Sequence, residues 1–264
     1  MLTYVGYCCS IPANTLTHKI TKSMNPKNHA AITPFSVFIP VYNEEDILVA
    51  NTEKLISYLG RFGTAFEIII GSNGSDDGTP KLGEMLAGKY SRIRFFHMDE
   101  KGPGEAFRHG VEIARYNNIV SLDMDLSIEL DFIDKALTLL DSGYDIIIGS
   151  KKMGQEKRSF ARKLGSDFFV LTARALMDIS FVDYSIGAKA YKRNLLMDYL
   201  HKIDHGTAYV LTLVYLAHKR GKEVIEVPVL CEDYRGSKFN IIYEGLYRFA
   251  QLFKTWCAAQ LGRL

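Results

Sequence analysis

The chain has 264 residues, of which 47% are hydrophobic and 23% charged, with a formal net charge of +2. This composition predicts one large globular domain and gives no reason to expect nucleic acid as a partner. The four cysteines are sparse and have no CxxC spacing, which excludes a disulfide scaffold and favours reduced thiols in a cytosolic setting. No apolar run reaches the roughly 18 residues of a membrane span, and the N-terminus lacks the features of a signal peptide.

Three segments are expected. Residues 1–34 end in a polar linker and are expected to form a poorly ordered N-terminal extension. Residues 35–238 carry the alternating apolar and helical patterns of the main domain, and residues 239–264 are predicted to form an amphipathic helix.

Short apolar runs alternate with helical patterns through the first part of the main domain. The runs are Phe35–Val41, Phe66–Ile70, Ile93–Met98, Ile119–Asp123 and Tyr144–Gly149. Continuously apolar strands are buried on both faces, and helices between them are typical of a mostly parallel α/β sheet. The second part is less regular, with predicted helices over Ser159–Asp178 and Tyr209–Arg220 and predicted strands within Asp183–Arg193 and Glu223–Leu230.

Polar clusters follow three of the predicted strands. They are Tyr42–Glu45, Asn73–Glu84 and Asp123–Asp125. Because ligands of parallel sheets bind at the carboxyl ends of the strands, these three loops on one edge predict a binding site.

The Asp123-Met124-Asp125 turn places two carboxylates two residues apart after a buried strand. Such a pair suits a hard divalent cation, Mg²⁺ or Mn²⁺, whose shell is completed by phosphate oxygens. The alternative is a solvated turn with no ligand. The position of this turn beside two other polar loops favours the metal.

The segment N-G-S-D-D-G-T-P-K-L-G-E over Asn73–Glu84 has the spacing of a calcium loop. A β-rich run precedes it, however, and Pro80 stands at its eighth place, so calcium is not expected. We interpret it as a strand-to-helix turn in which Thr79 caps a helix that opens with Pro80. Asn73, Ser75 and Asp77 then face a base or ribose.

Several motifs in order give the chain a resemblance to a known family. They are I-P-V-Y-N-E-E, G-S-N-G-S-D-D-G-T, K-G-P-G-E-A, D-M-D-L-S, G-S-K, E-V-P-V and R-G-S-K. Over about residues 35–240 the chain resembles the inverting family 2 glycosyltransferases, and within them the dolichyl-phosphate mannose or glucose synthase branch. The resemblance implies a GT-A fold, a Rossmann-like α/β domain with a mostly parallel central sheet.

The resemblance also implies functions for individual residues. Contacts to a GDP- or UDP-sugar are expected from Pro40, Tyr42, Glu44, Asn73, Ser75, Asp77 and Asp123. Metal binding is expected from Asp123 and Asp125, and catalysis from these two with Arg162. Contacts to an acceptor phosphate are expected from Lys151, Arg162, Ser166, Lys189, Arg235 and Lys238. Asp183, Gly187 and Lys189 resemble a D-x-T-S-G-F-R stretch of the family.

Three departures from the family pattern bear on the donor. Ser72-Asn73 replaces a pair of aspartates, Tyr209-Val210-x-Thr212 replaces an F-Q-x-E stretch, and lysines at 151 and 189 replace arginines. Lysine keeps the charge of arginine and loses its bidentate phosphate geometry. A phosphate acceptor is already anionic at neutral pH, with a second pKa of about 6, so it needs positioning cations and no general base.

The last predicted helix favours a lipid acceptor. Its apolar positions recur at three- and four-residue steps: Phe239, Ile242, Leu246, Phe249, Phe253 and Trp256. This pattern predicts an interfacial helix on a membrane surface, and the alternative is a helix packed on the domain or on a second copy in a homodimer.

The resulting hypothesis is a metal-dependent transferase that moves a sugar from a nucleotide to a polyprenyl phosphate at the cytoplasmic face of a membrane. A transferase acting on a glycan and a non-catalytic nucleotide-sugar-binding or scaffold protein remain alternatives.

Overall fold

The structure is a computed structural model that describes residues 32–151, 160–179, 181, 183–184, 186–231 and 241–264. The strands are β1 (Phe35–Val41), β2 (Phe66–Asn73), β3 (Ile93–Met98), β4 (Asn118–Ser121), β5 (Ile146–Ser150), β6 (Lys189–Lys192) and β7 (Val224–Pro228). The helices are α1 (Glu45–Gly60), α2 (Thr79–Lys89), α3 (Pro103–Ile113), α4 (Asp131–Asp141), α5 (Phe160–Met177), α6 (Arg193–Tyr199), α7 (Tyr209–Lys219) and α8 (Ile241–Gln260), with a short 3-10 turn at Leu200–Lys202.

The strands of the described chain form one sheet in the order β3-β2-β1-β4-β6-β5-β7. All neighbouring pairs are parallel except those of β6, which runs antiparallel to both β4 and β5. The predicted mostly parallel α/β sheet is therefore confirmed.

Helices cover both faces of this sheet because its central strands are apolar on both sides. On one face Phe38 of β1 packs edge-on against Phe107 of α3, with ring centroids 5.7 Å apart. Phe35, three residues earlier in β1, faces the other way and lies 5.5 Å from Phe62, just after α1. Strand β2 is buried along its whole length.

The antiparallel strand β6 matters most for the site. Lys189 begins it, and this residue pairs with Ser121 of β4 and Ile148 of β5. Because β6 runs against its neighbours, its first residue lies where β4 and β5 end. The segment before β6 is thereby brought to the carboxyl edge of the sheet.

The last helix packs onto the domain along one side. Leu252 of α8 is fully buried, and Phe249 lies 5.2 Å from Phe169 of α5 between ring centroids. Within the described residues, no helix is both long enough and apolar enough to cross a membrane.

Candidate active site

The loops after β1 and β2 are joined by hydrogen bonds between their own side chains and backbones. The amide of Asn43, which has a φ of 54°, donates to Ser75 Oγ at 3.1 Å. Asn43 and Asp76 exchange two more bonds, from Asn43 Nδ2 to Asp76 Oδ1 at 2.6 Å and from the Asp76 amide to Asn43 Oδ1 at 3.0 Å. These reciprocal bonds hold both loops in one arrangement.

Gly78 stands at the N-cap position of α2 without a side-chain cap, so the expectation that Thr79 caps this helix is wrong. The carboxylate before this cap belongs to Asp77. Its Oδ1 accepts the amide of Thr79 at 2.9 Å, and its Oδ2 accepts the amide of Glu45 at 3.3 Å. Thr79 instead uses its hydroxyl to accept the amide of Glu44 at 2.8 Å. A carboxylate near these free amides is favoured because it meets the positive end of a helix. The segment with calcium-loop spacing begins at the last residue of strand β2, so it follows a strand as the sequence predicts.

Asn73 also ties the two loops. Its Nδ2 donates to the carbonyl of Val41 at 2.9 Å, and its Oδ1 is buried with no hydrogen-bond partner among the described residues. Ser72 is buried beside it and lies 3.0 Å from Ser75 Oγ and 3.0 Å from His97 Nδ1. The two positions that depart from the family pattern therefore carry neutral side chains inside the loop.

Lys101 also lies in this region, although the sequence motifs predict no function for it. Its Nζ lies 3.6 Å from the centroid of the Tyr42 ring, a cation–π distance. A Cβ on Gly74, whose φ is +74°, would lie 2.7 Å from the Lys101 amide nitrogen. Lys101 thus contacts both predicted donor loops. The K-G-P-G-E-A motif contained it, and only the fold shows what it touches.

The Asp123-Met124-Asp125 turn continues the direction of β4 past its last residue. The amide of Leu122 still donates to the Phe38 carbonyl at 3.1 Å, and Met124 is buried at 3% exposure. Met124 and Asp125 form a turn in which the Leu126 amide donates to the Asp123 carbonyl at 3.2 Å, and there Asp123 is exposed and Asp125 half-buried. Asn51 of α1, another residue that the motifs missed, donates from Nδ2 to the Met124 carbonyl at 2.9 Å and holds the turn.

The segment before β6 lies directly against Asp123. A Cβ on Gly187 would overlap both carboxylate oxygens of Asp123, so a larger residue there would have to displace this carboxylate. The backbone of Gly187 also hydrogen-bonds to Asp123. Lys189 is buried and donates from Nζ to the carbonyl of Ile186, in the same segment. Asp183 accepts the Lys151 amide at 3.1 Å.

These neighbours shift the pKa values of the site. Asp123 keeps an exposed face in the cleft, but the surrounding protein reduces its hydration. This desolvation and the charge of Asp125 raise its pKa, against the charges of Lys189 and Lys151. Burial lowers the pKa of Lys189 to about 8, against the charges of Asp183 and Asp123. Three aspartates and two lysines therefore act on one another here.

The carboxylate pair fits a divalent cation. Desolvation and then the charge of Asp125 raise the pKa of Asp123, and a bound cation would offset both the lost hydration and the repulsion between the two carboxylates. In the described part of the chain, no group of three or more His, Cys, Asp and Glu residues could hold a metal. The protein therefore offers two hard oxygen ligands, which is the number that Mg²⁺ or Mn²⁺ takes when phosphates complete its shell.

The predicted acceptor residues are only partly described. Lys151, half-buried, and Lys189 act on Asp123 at the end of β5 and the start of β6. Arg162 and Ser166 belong to α5, whose first turns have no described side chains at these positions. Arg235 and Lys238 lie outside the described residues.

Helices α5 and α8 share an exposed apolar surface. Phe168 and Leu171 of α5 are 63% and 62% exposed, and Leu246 and Phe253 of α8 are 68% and 47% exposed. Phe249 joins them, since its ring lies 5.5 Å from that of Phe168 and one turn from Leu246 and Phe253. We call these four exposed residues the α5/α8 surface. Trp256, by contrast, packs against the core.

The family model described as Glycosyl transferase family 2 matches residues 36–200, more than half of the chain. The chain belongs to glycosyl transferase family 2. The family predicted from the ordered motifs is thus confirmed, and the matched segment contains both donor loops and the Asp123–Asp125 turn.

Relatives with curated names are similar over much of this family 2 chain. Glycosyltransferase AglD of Haloferax volcanii is 29% identical over 236 residues, which are 86% of this chain and 38% of AglD. Polyprenol monophosphomannose synthase of Mycolicibacterium smegmatis is 28% identical over 207 residues, covering 73% of this chain and 75% of that protein. The chain thus spans well under half of the length of AglD.

A solved structure with the same architecture confirms the GT-A fold. It is the crystal structure of glucosyl-3-phosphoglycerate synthase from Mycobacterium tuberculosis in complex with Mn²⁺ and UDP-glucose. The TM-score is 0.65 at 17% identity, with coverage of 90% of this chain and 83% of that one. At this identity the likeness concerns the fold.

Proposed function

We propose that this family 2 protein transfers a sugar from a GDP- or UDP-sugar to a polyprenyl phosphate, with inversion at the anomeric carbon. The observation that carries the proposal is the meeting of Asp123 and Asp125 with Lys151 and Lys189 at the carboxyl edge of the sheet. The name of the mycobacterial relative, a polyprenol monophosphomannose synthase, supports this acceptor class.

The donor binds along the loops after β1 and β2. Pro40, Tyr42 and Glu44 are half-buried at the surface of the first loop, and Asn73, Ser75 and Asp77 shape the second. Asp123 and Asp125 would hold Mg²⁺ or Mn²⁺, which would offset the charge that develops on the leaving nucleoside diphosphate. The solved Mn²⁺ complex of a protein with the same fold supports this assignment.

The acceptor supplies its own nucleophile. A phosphate oxygen of the lipid attacks the anomeric carbon, the bond from that carbon to the nucleoside diphosphate breaks, and the electron pair leaves with the diphosphate. Because the attacking oxygen is already ionised at neutral pH, the protein needs cations to orient it. We assign this role to Lys151, Arg162, Lys189, Arg235 and Lys238, with Arg162 as the catalytic cation, and assign to the Ser166 hydroxyl a further contact to the same phosphate.

The α5/α8 surface is assigned to the membrane that carries the lipid acceptor. Its four exposed apolar side chains form one face, and Lys254 of α8 is exposed beside them. An apolar face with basic residues at its border binds the headgroup region of anionic bilayers. The protein is therefore proposed to be peripheral, at the cytoplasmic face.

The direct test incubates the purified chain with radiolabelled UDP- and GDP-sugars, a polyprenyl phosphate and MgCl₂ or MnCl₂. Label is expected in the organic phase, and EDTA should abolish its transfer. Label found only on an added oligosaccharide would favour a glycan acceptor. Nucleotide binding without transfer to any acceptor would favour a non-catalytic binding protein, and either result would overturn the proposal.

A further inference from the structure

The loop of Asp204, His205 and Gly206, which we call the 204–206 loop, lies between the start of α3 and the C-terminal helix α8. On the α3 side, the Gly104 amide donates to the His205 carbonyl at 3.1 Å. On the α8 side, the hydroxyl of Tyr247 contacts the loop at two atoms. The loop therefore contacts both α3 and α8 and links one helix to the other.

Tyr247 holds the loop from the α8 side. Its hydroxyl donates to Asp204 Oδ1 at 2.7 Å and accepts the Gly206 amide at 3.2 Å. The same amide also lies 2.7 Å from Asp204 Oδ1, so the three groups form a closed ring of hydrogen bonds. A Cβ on Gly206 would lie 2.5 Å from the Tyr247 hydroxyl oxygen, so a larger residue there would have to displace the tyrosine ring.

His205 holds the loop from the α3 side. Its Nε2–H donates to the carbonyl of Lys101 at 2.9 Å. A Cβ on Gly102 would lie 2.6 Å from the imidazole, and one on Gly104 would overlap the Asp204 carbonyl. The two glycines of the K-G-P-G segment are therefore needed for this contact, and the contact fixes the backbone at Lys101.

Lys101 in turn touches both donor loops, through the ring of Tyr42 after β1 and through the backbone at Gly74 after β2. A continuous series of contacts thus runs from Tyr247 through the 204–206 loop and Lys101 to the donor loops. Each step is a hydrogen bond or a close packing contact between well-separated parts of the chain.

We propose that Tyr247 and His205 are positioning residues for the donor site, which act through Lys101 and tie α8 to the two donor loops. This inference rests on the proposed function, because it takes these loops to bind the nucleotide. It assigns to α8 a second role besides the proposed membrane contact: α8 sets the affinity of the donor site.

The first test compares Tyr247→Phe with Tyr90→Phe. Tyr90 is the matched control, because its hydroxyl donates to Glu53 at 2.8 Å away from the 204–206 loop. Amide exchange followed by mass spectrometry should become faster in Tyr247→Phe over residues 101–106 and 203–207, and stay unchanged in the control. Titration with UDP and with GDP in MnCl₂ should show affinity reduced about fivefold for the nucleotide that wild type binds, the factor expected for one lost hydrogen bond.

The second test uses His205→Ala and His205→Gln. Alanine removes the N–H that reaches the Lys101 carbonyl, and glutamine restores an N–H donor of similar length. We expect weaker nucleotide binding in His205→Ala, with recovery in His205→Gln. In a transfer assay the donor KM should rise in His205→Ala, whereas kcat and the acceptor KM should stay at their wild-type values.

The outcomes separate this inference from the proposed function. Equal nucleotide affinities in wild type, Tyr247→Phe and His205→Ala would overturn the inference alone. Faster exchange without any loss of affinity would do the same, because the loop would then be only structural. A wild-type protein that binds neither UDP nor GDP would overturn the proposed function and the inference with it.

Discussion

The proposed donor side, formed by the loops after β1 and β2, and the proposed acceptor side, with the α5/α8 surface, are built in different ways. The loops after β1 and β2 bind each other through short-range polar bonds, such as those between Asn43 and Asp76, and their buried polar groups are largely satisfied within the loops. The acceptor side, by contrast, exposes apolar side chains of α5 and α8. Under the proposed function, the donor site is formed in the free protein, whereas the acceptor side is complete only against another apolar surface.

The largest expected effect concerns the carboxylate pair of Asp123 and Asp125, which lies between the proposed donor and acceptor residues. Asp125→Ala should reduce sugar transfer by about 100- to 1000-fold, the usual cost of removing one electrostatic contact to a transition state. The measurement is initial rate with radiolabelled donor. Asp198→Asn, an exposed change on α6, should keep the wild-type rate. A comparable rate in Asp125→Ala would remove this pair from the active site.

A methyl group added at Gly187 should disturb the same carboxylate pair, because this residue lies against Asp123. Gly187→Ala would push on the carboxylate of Asp123, and a displacement of about 1 Å costs roughly 100-fold in rate. The MnCl₂ concentration that gives half of the maximal rate should rise. Gly88→Ala is the control, since nothing lies within 4 Å of its added Cβ. Unchanged kinetics in Gly187→Ala would show that Asp123 is not held by this contact.

The buried Lys189 predicts a pH dependence of stability on the acceptor side. Its pKa is about 8 in the folded chain against 10.5 unperturbed, so between these values the unfolded chain binds more protons. Raising the pH through this window should therefore increase the free energy of unfolding, by at most about 1.4 kcal/mol per pH unit from this group.

Urea unfolding of wild type and Lys189→Met in EDTA measures this difference. The variant should lack the increase between about pH 8 and 10.5, whereas Lys222→Met, at an exposed lysine, should follow wild type. Parallel curves for wild type and Lys189→Met would contradict the predicted burial of the charge.

The smallest expected effect tests the apolar surface itself. Phe253→Ser should weaken binding to vesicles of phosphatidylcholine and phosphatidylserine about fivefold, because part of one aromatic side chain no longer enters the bilayer. Stability should not change, since Phe253 is 47% exposed. Met85→Ser, at a similarly exposed residue on α2, is the control. Equal vesicle binding, or loss of a dimer in light scattering, would favour a second copy as the occupant.

Much of the donor side could be predicted from the sequence. The alternation of apolar strands and helices and the position of three polar clusters after strands follow from local patterns, and the described chain has them. The cap of α2 was predicted wrongly. Gly78 stands at the N-cap, and the side chains of Thr79 and Asp77 instead accept the amides of Glu44 and Glu45, which come from a distant part of the chain.

The acceptor side shows the limits of such prediction. The periodicity of α8 predicts one apolar stripe, yet Trp256 packs against the core while Leu246 and Phe253 are exposed. Which part of a stripe is buried depends on the neighbouring helix, here α5, and the spacing of residues within α8 carries no information about it.

The sequence by itself determined the family, the parallel α/β architecture and the carboxylate pair, because these depend on residues close together in the chain. Only the tertiary structure decided what surrounds that pair. The antiparallel course of β6 brings Gly187 and Lys189 to Asp123, and the 204–206 loop brings Tyr247 to Lys101. These contacts join distant segments, whose pairing is selected by the packing of the whole sheet and its helices and by no local pattern.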